Sequence, residues 1–189
     1  MSRIDEVSSI TFTKHPNAYK AVLINNAGAI GEIKPIGKQR NESIVNVFNL
    51  NTIDPAILVN NFIHTYKGVE MPLVIINISS RAARHPIESW APYCASKAAI
   101  DMFSQVIQAE NGYESNRIKI FSVAPGIVDT KMQQQVRDSN PIDFPHHKKF
   151  VGYKNNGQLV TPESVALKIL GIAENPQEHQ NVLIYVRQH

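Results

Sequence analysis

Short apolar runs alternate with longer helical patterns along this chain, and nearly every run ends in small polar or turn-forming residues. Residues 21–27 (AVLINNA) lead into Gly28, residues 73–79 into Ser80, and residues 117–123 into Pro125-Gly126; residues 182–186 make a last short run. Brief apolar runs closed by turn residues suit buried parallel strands. Between them, residues 42–67 carry Ile44, Val47, Phe48, Ile57 and Phe62 at helical spacing, with Pro55 as the expected kink or break. Residues 91–110 read as a second long helix bearing Ala95, Ala98, Ala99, Met102, Phe103 and Val106, its alanines small enough for close helix packing. Thr161-Pro162 starts a helix over 161–174, and Ser2 caps one over 2–14 with Ile4, Val7 and Ile10 along it. This order predicts an α/β fold, a parallel sheet doubly wound with helices on both faces.

In such sheets ligands bind beyond the carboxyl ends of the strands. Asn25-Asn26-Ala27-Gly28, Ser79-Ser80 and Pro125-Gly126 each fall at such an end, which predicts one shared site. The 189 residues suit a single domain, 1–189. Within it, residues 131–158 are polar, rich in Asp, Asn, His and Lys, and without strong periodicity, as expected of a substrate lid.

The chemistry concentrates in SSRAARHPIESWAPYCASK. Lys97 follows Tyr93 by four residues and can share its helical face, and Ser80 precedes Tyr93 by thirteen. An ammonium beside a phenol favours the phenolate, moves its pKa from about 10 toward neutral and makes it a usable general acid/base. The other tyrosines, Tyr19, Tyr66, Tyr113, Tyr153 and Tyr185, have no lysine at that spacing. Trp90, one turn before Tyr93, either walls an aromatic substrate pocket or packs in the core.

Other readings narrow the field. A net charge of +3, scattered and free of Lys/Arg blocks, excludes a nucleic-acid partner. No apolar run approaches the ~20 residues of a membrane span, and the start MSRIDEVSSITF is unlike a signal peptide. Cys94 stands alone, so no internal disulfide forms and a cytoplasmic location is expected. Its thiol is expected to be buried and inert. Adjacent His146 and His147 near Asp143 rarely converge on a metal, so no metal is expected there.

NNAG at 25–28, the Ser80–Tyr93–Lys97 set, and APG followed by Asp129-Thr130 together resemble the short-chain dehydrogenase/reductase family. The phrases VLINNAG, WAPYCASKAAIDMF, PGIVDTKMQ and MQQQVRDSNPIDFPHHKKF narrow the likeness to its sepiapterin reductase and bacterial benzil reductase group. The resemblance implies a Rossmann-like fold and an NADPH-dependent reduction of a small carbonyl compound, a vicinal diketone such as benzil or a pterin-like diketone. It implies that Tyr93 protonates the carbonyl oxygen, that Lys97 lowers the Tyr93 pKa and bonds the cofactor ribose, and that Ser80 orients the substrate. Asn51 matches the helix asparagine of the proton relay. Asn25, Ala27 and Gly28 would lie against the adenosine side of the cofactor. Pro125, Gly126, Ile127, Val128 and Thr130 would meet the nicotinamide. The family dimerises through the helices that correspond to 42–67 and 91–110, so a homodimer is expected.

Two departures accompany the likeness. The family begins with two βα units and a TGxxxGxG turn for the cofactor pyrophosphate, whereas the nine glycines here contain no such spacing. The chain is therefore expected to be the catalytic portion of a reductase, lacking the first two βα units and of low stability. The alternative is a catalytically silent remnant or assembly partner. The other departure is at residues 181–189 (NVLIYVRQH), which contain none of the acidic residues that anchor a pterin in sepiapterin reductases, and this favours a diketone.

Overall fold

The structure is a computed structural model and describes residues 12, 15 and 17–186. Four parallel strands form one sheet in sequential order: β1 (Ala21–Asn25), β2 (Leu73–Ile78), β3 (Ile118–Ala124) and β4 (Leu183–Tyr185). Register runs from Ala21 opposite Leu73 and from Leu73 opposite Ile118, so the carboxyl ends of β1, β2 and β3 lie side by side. The expected helix over 2–14 lies outside the described residues, Phe12 apart.

Alternation along the strands sorts the core into two faces. Leu73, Ile75, Ile118 and Ile120 pack against Val59, Phe62 and Ile107 from the two long helical segments. Val74, Ile76, Phe121 and Val123 pack on the other face against Val165, Ile169 and Ile172 of α6 (Pro162–Glu174). β1 is covered less completely: Val22 is 41% exposed and Ile24 36%. A parallel strand usually has both faces covered, and here one face of β1 is partly bare.

The helix expected over 42–67 forms as α1 (Asn41–Phe48), a π-helical turn (Asn49–Ile53) and α2 (Asp54–Thr65). Its interruption precedes Pro55 instead of falling on it. A proline ring clashes with the carbonyl four residues back and has no N–H to give. The wider turn, with Asp54 N–H bonded to Asn49 O, accommodates this and leaves Pro55 in the first turn of α2, where no N–H is needed. The second long helix, α3 (Ala91–Asn111), matches its expected span. Residues 131–158 are not loop throughout: they hold α4 (Lys131–Arg137), capped by Thr130 Oγ, and α5 (His147–Asn155). Their few apolar residues, Val136 and Phe144 among them, are too widely spaced to show a period, yet both are buried.

Candidate active site

Tyr93 sits in the first turn of α3, which begins at Ala91-Pro92 where a missing N–H costs nothing. Lys97 lies one turn further on, and its ammonium donates to the Ile78 carbonyl at 2.6 Å, at the end of β2. Two residues later Ser80 accepts Ala82 N–H at 3.2 Å, and its side chain acts on the Tyr93 phenol. Gly28, beyond the end of β1, completes the floor. A Cβ there would stand 3.2 Å from Asn51 Oδ1, a tight contact, and 3.6 Å from Lys97 Nζ, so glycine gives these groups room to approach. Gly28, Asn51, Ser80, Tyr93 and Lys97 thus come together as the strand ends predicted.

The electrostatics differ from the sequence expectation. Burial pushes the Tyr93 phenol above its ordinary pKa of 10, against a smaller opposing effect of the Ser80 hydrogen bond. Lys97 Nζ lies 5.9 Å from the centre of the Tyr93 ring and does not lower it. Loss of water instead lowers Lys97, from 10.5 to about 8, with Asp101 pulling it back up. In a dry site the desolvation of both groups outweighs a contact of this length.

Asn51, in the π-helical turn, is 1% exposed and fully engaged. Its Oδ1 accepts Ala29 N–H at 2.8 Å, and its Nδ2 donates to Ala29 O at 2.8 Å and Ser96 Oγ at 3.0 Å. Asn25 donates to Asn77 Oδ1 at 2.7 Å and so ties β1 to β2, while Ala27 is exposed. The third strand end stands apart. Ile127 O accepts Val160 N–H, Asp129 N–H donates to Val160 O, Val128 bridges to Val160, and Thr130 caps α4. Gly126 turns the chain there at φ 87°, a conformation that favours glycine, next to half-buried Pro125. The contacts of 127–130 therefore run to Val160 and α4.

The short chain dehydrogenase profile matches residues 18–141, well over half of the chain. The chain belongs to the short-chain dehydrogenase family. It is 35% identical over 177 residues to benzil reductase ((S)-benzoin forming) of Bacillus cereus, covering 94% of this chain and 71% of that protein. It is 30% identical over 159 residues to sepiapterin reductase of Bos taurus, covering 82% of this chain and 58% of that one. Among solved structures, the KRED1-Pglu enzyme superposes with a TM-score of 0.77 at 25% identity, over 97% of this chain and 74% of that one.

Several residues at this short-chain dehydrogenase site carried no motif. Along α3 the buried polar groups Lys97, Asp101, Ser104 and Gln108 form one stripe, each bonded to the sheet. Ser122 donates to Asp101 Oδ1 at 2.6 Å, Asn77 donates to Ser104 at 2.9 Å, and Gln108 Oε1 accepts Ile120 N–H at 2.9 Å. Spacings of four, seven and eleven from Lys97 were the available signal. Ser96, which accepts from Asn51 and donates to Tyr93 O at 2.9 Å, lies just off this stripe.

Beyond the strand ends a third core cluster joins Trp90 and Tyr93 to Ile30, Val136 and Phe144. Trp90 stacks on Phe144 with centroids 5.5 Å apart and meets Tyr93 edge-on at 5.6 Å. It is a packed residue, although its buried Nε1 has no hydrogen-bond partner. Ser89 Oγ donates to Asp143 O, and His146 pairs with Glu88 at 3.3 Å, so the 138–150 segment is fastened to the turn before α3. Cys94 is half-buried, not fully buried, and burial raises its thiol pKa. No metal-binding group of His, Cys, Asp and Glu occurs among the described residues, nor does a helix long and apolar enough to cross a membrane. An open groove of about 670 Å³ runs between Gly31–Lys34 and α4; Ser80, Tyr93 and Lys97 are not among its walls.

Proposed function

We propose that this chain carries the catalytic residues of an NADPH-dependent carbonyl reductase whose substrate is a small vicinal diketone such as benzil. The carrying observation is that Ser80, just past the end of β2, acts on the buried Tyr93 phenol while the buried Lys97 ammonium donates to Ile78 at the same strand end. The benzil reductase likeness supports the diketone class.

The residues fit the nicotinamide and ribose end of a dinucleotide. Gly28 leaves open the space beside Lys97, and Gly126 lets the third strand end turn back toward the sheet. When bound, NADPH supplies the hydride. Ser80 holds the substrate carbonyl through its hydroxyl, and Tyr93, kept protonated by burial, gives its proton to the carbonyl oxygen as that oxygen gains negative charge. Lys97 bonds the ribose and stabilises the tyrosinate left behind. Asn51 holds Ala29 and Ser96 so that this floor stays in place. Asn25 and Ala27 edge the adenosine side, Pro125, Ile127, Val128 and Thr130 the nicotinamide side, and Trp90 with residues 131–158 closes the substrate end as a lid. The protein acts as a homodimer through α1–α2 and α3, whose Val45, Ile53, Met102 and Val106 are exposed.

Titration of the 189-residue chain with NADPH, followed by cofactor fluorescence and with Lys97→Ala as control, tests the reading. Saturable binding lost in the control, followed by turnover of benzil, is the expected result. A folded chain that binds no NADPH overturns it and leaves the silent remnant.

A further inference from the structure

We propose that Asp101, clamped by Arg84 and Ser122 one helical turn beyond Lys97, is a positioning residue whose fixed carboxylate governs the charge of Lys97. The inference rests on reading Lys97 as the cofactor-facing ammonium, and its test does not require turnover.

Three elements converge on this carboxylate, and a fourth packs against its arginine partner. Asp101 lies one helical turn after Lys97 and is 4% exposed. Its Oδ2 accepts two bonds from Arg84, Nε at 3.0 Å and Nη2 at 2.9 Å. Its Oδ1 accepts the Ser122 hydroxyl of β3 at 2.6 Å. Arg84 closes the 3-10 turn Arg81–Ala83 that follows Ser80, and its guanidinium stands 4.5 Å over the Tyr185 ring of β4. One ion pair therefore ties the turn carrying Ser80 to the helix carrying Tyr93 and Lys97, with β3 and β4 as its backing. A buried carboxylate costs several kcal/mol to desolvate unless it is paired and bonded in this way.

The charge reaches Lys97. From α3 the titratable groups facing it are Tyr93 and Asp101. β2 offers the Ile78 carbonyl, the β1 end offers Gly28, and the Ser80 turn offers Arg84, already engaged with Asp101. Asp101 is the charged group that favours the Lys97 ammonium, against the desolvation that disfavours it. Arg84 tempers that influence by partial neutralisation. A purely structural tie would be weakened by the loss of either partner in the same direction. An electrostatic one responds to the two losses with opposite signs.

The test is competitive acetylation of the cofactor-free protein with trace acetic anhydride across pH 6 to 11, reading Lys97 and the exposed Lys149 by peptide mass spectrometry. Asp101→Asn should lower the Lys97 labelling midpoint by about one pH unit, because the ammonium loses its counter-charge. Arg84→Gln should raise it, because Asp101 is then unneutralised, and Arg84→Lys should leave it near the wild-type value. Lys149 should not move in any variant. Arg84 is a partly exposed loop residue, so its two variants carry the test if Asp101→Asn fails to fold. Shifts of the same sign in the Asp101 and Arg84 variants, or an unmoved midpoint in Arg84→Gln, overturn the inference. Because no dinucleotide is present, opposite shifts together with failed NADPH binding would sink the reductase reading alone.

Discussion

Asn51 holds Ala29 at both of its backbone polar groups, accepting the N–H and donating to the carbonyl at 2.8 Å each. A loop residue at the end of the first strand is thereby fixed to a helical turn 22 residues later. The clasp positions Gly28 under Lys97.

Replacing Asn51 with alanine leaves the Ala29 N–H and carbonyl without their partner, while the Ser96 hydroxyl keeps its bond to Tyr93 O. Each buried polar group left unmet costs on the order of 1–3 kcal/mol, so Asn51→Ala should lower unfolding free energy by about 3 kcal/mol. Urea denaturation checks this, and a loss under about 1 kcal/mol would mean that the loop finds other partners readily.

Gly28→Ala should destabilise through overpacking, by about 1–2 kcal/mol, because Asn51 Oδ1 is held by Ala29 and cannot swing away from the new methyl. Gly152→Ala, in α5 with nothing within 4 Å of its Cβ, should instead stabilise by about 0.5–1 kcal/mol. Paired thermal melts separate the two, and equal shifts would refute the close approach at Gly28.

Lys97 holds its proton less tightly folded, with a pKa of about 8, than unfolded, near the ordinary 10.5. Between those values the unfolded chain binds more protons, so the lysine's contribution to stability rises with pH through that window and is flat below it. The rise is on the order of 3 kcal/mol at most. Tyr93 acts oppositely above pH 10, where the unfolded chain loses the phenolic proton first and stability falls. The difference in urea midpoint between wild type and Lys97→Met should therefore climb from pH 8 toward 10. A flat difference would show that the ammonium keeps its water in the fold.

Phe144 is fully buried and stacked on Trp90, although the segment around it is polar. Phe144→Ala should cost about 3–4 kcal/mol and diminish the near-ultraviolet circular dichroism of Trp90. A cost below about 1 kcal/mol would mean that residues 138–150 rest on the site without packing into it.

Much of the frame was legible in the chain. Strand spans came within one or two residues because apolar runs ended at Asn, Ser, Pro and Gly, which stop a strand locally. The helix at 42–67 was placed correctly and its interruption was not, since a π-helical turn absorbs a proline that spacing alone suggests should break the helix. Trp90 stayed ambiguous because its partners, Phe144 and Phe150, lie more than 50 residues away in a segment without a period.

By itself the sequence determined the order of strands and helices and placed Ser80, Tyr93 and Lys97 at strand and helix ends, because both follow from local periodicity and turn chemistry. Only the tertiary structure decided which way Tyr93 and Lys97 titrate, since that depends on how much water each loses when remote segments close over it. It also decided that Asp101, one helical turn beyond Lys97, lies in the grip of Arg84 and Ser122. Those three lie on a loop, a helix and a strand, and no spacing along the chain brings them to one point.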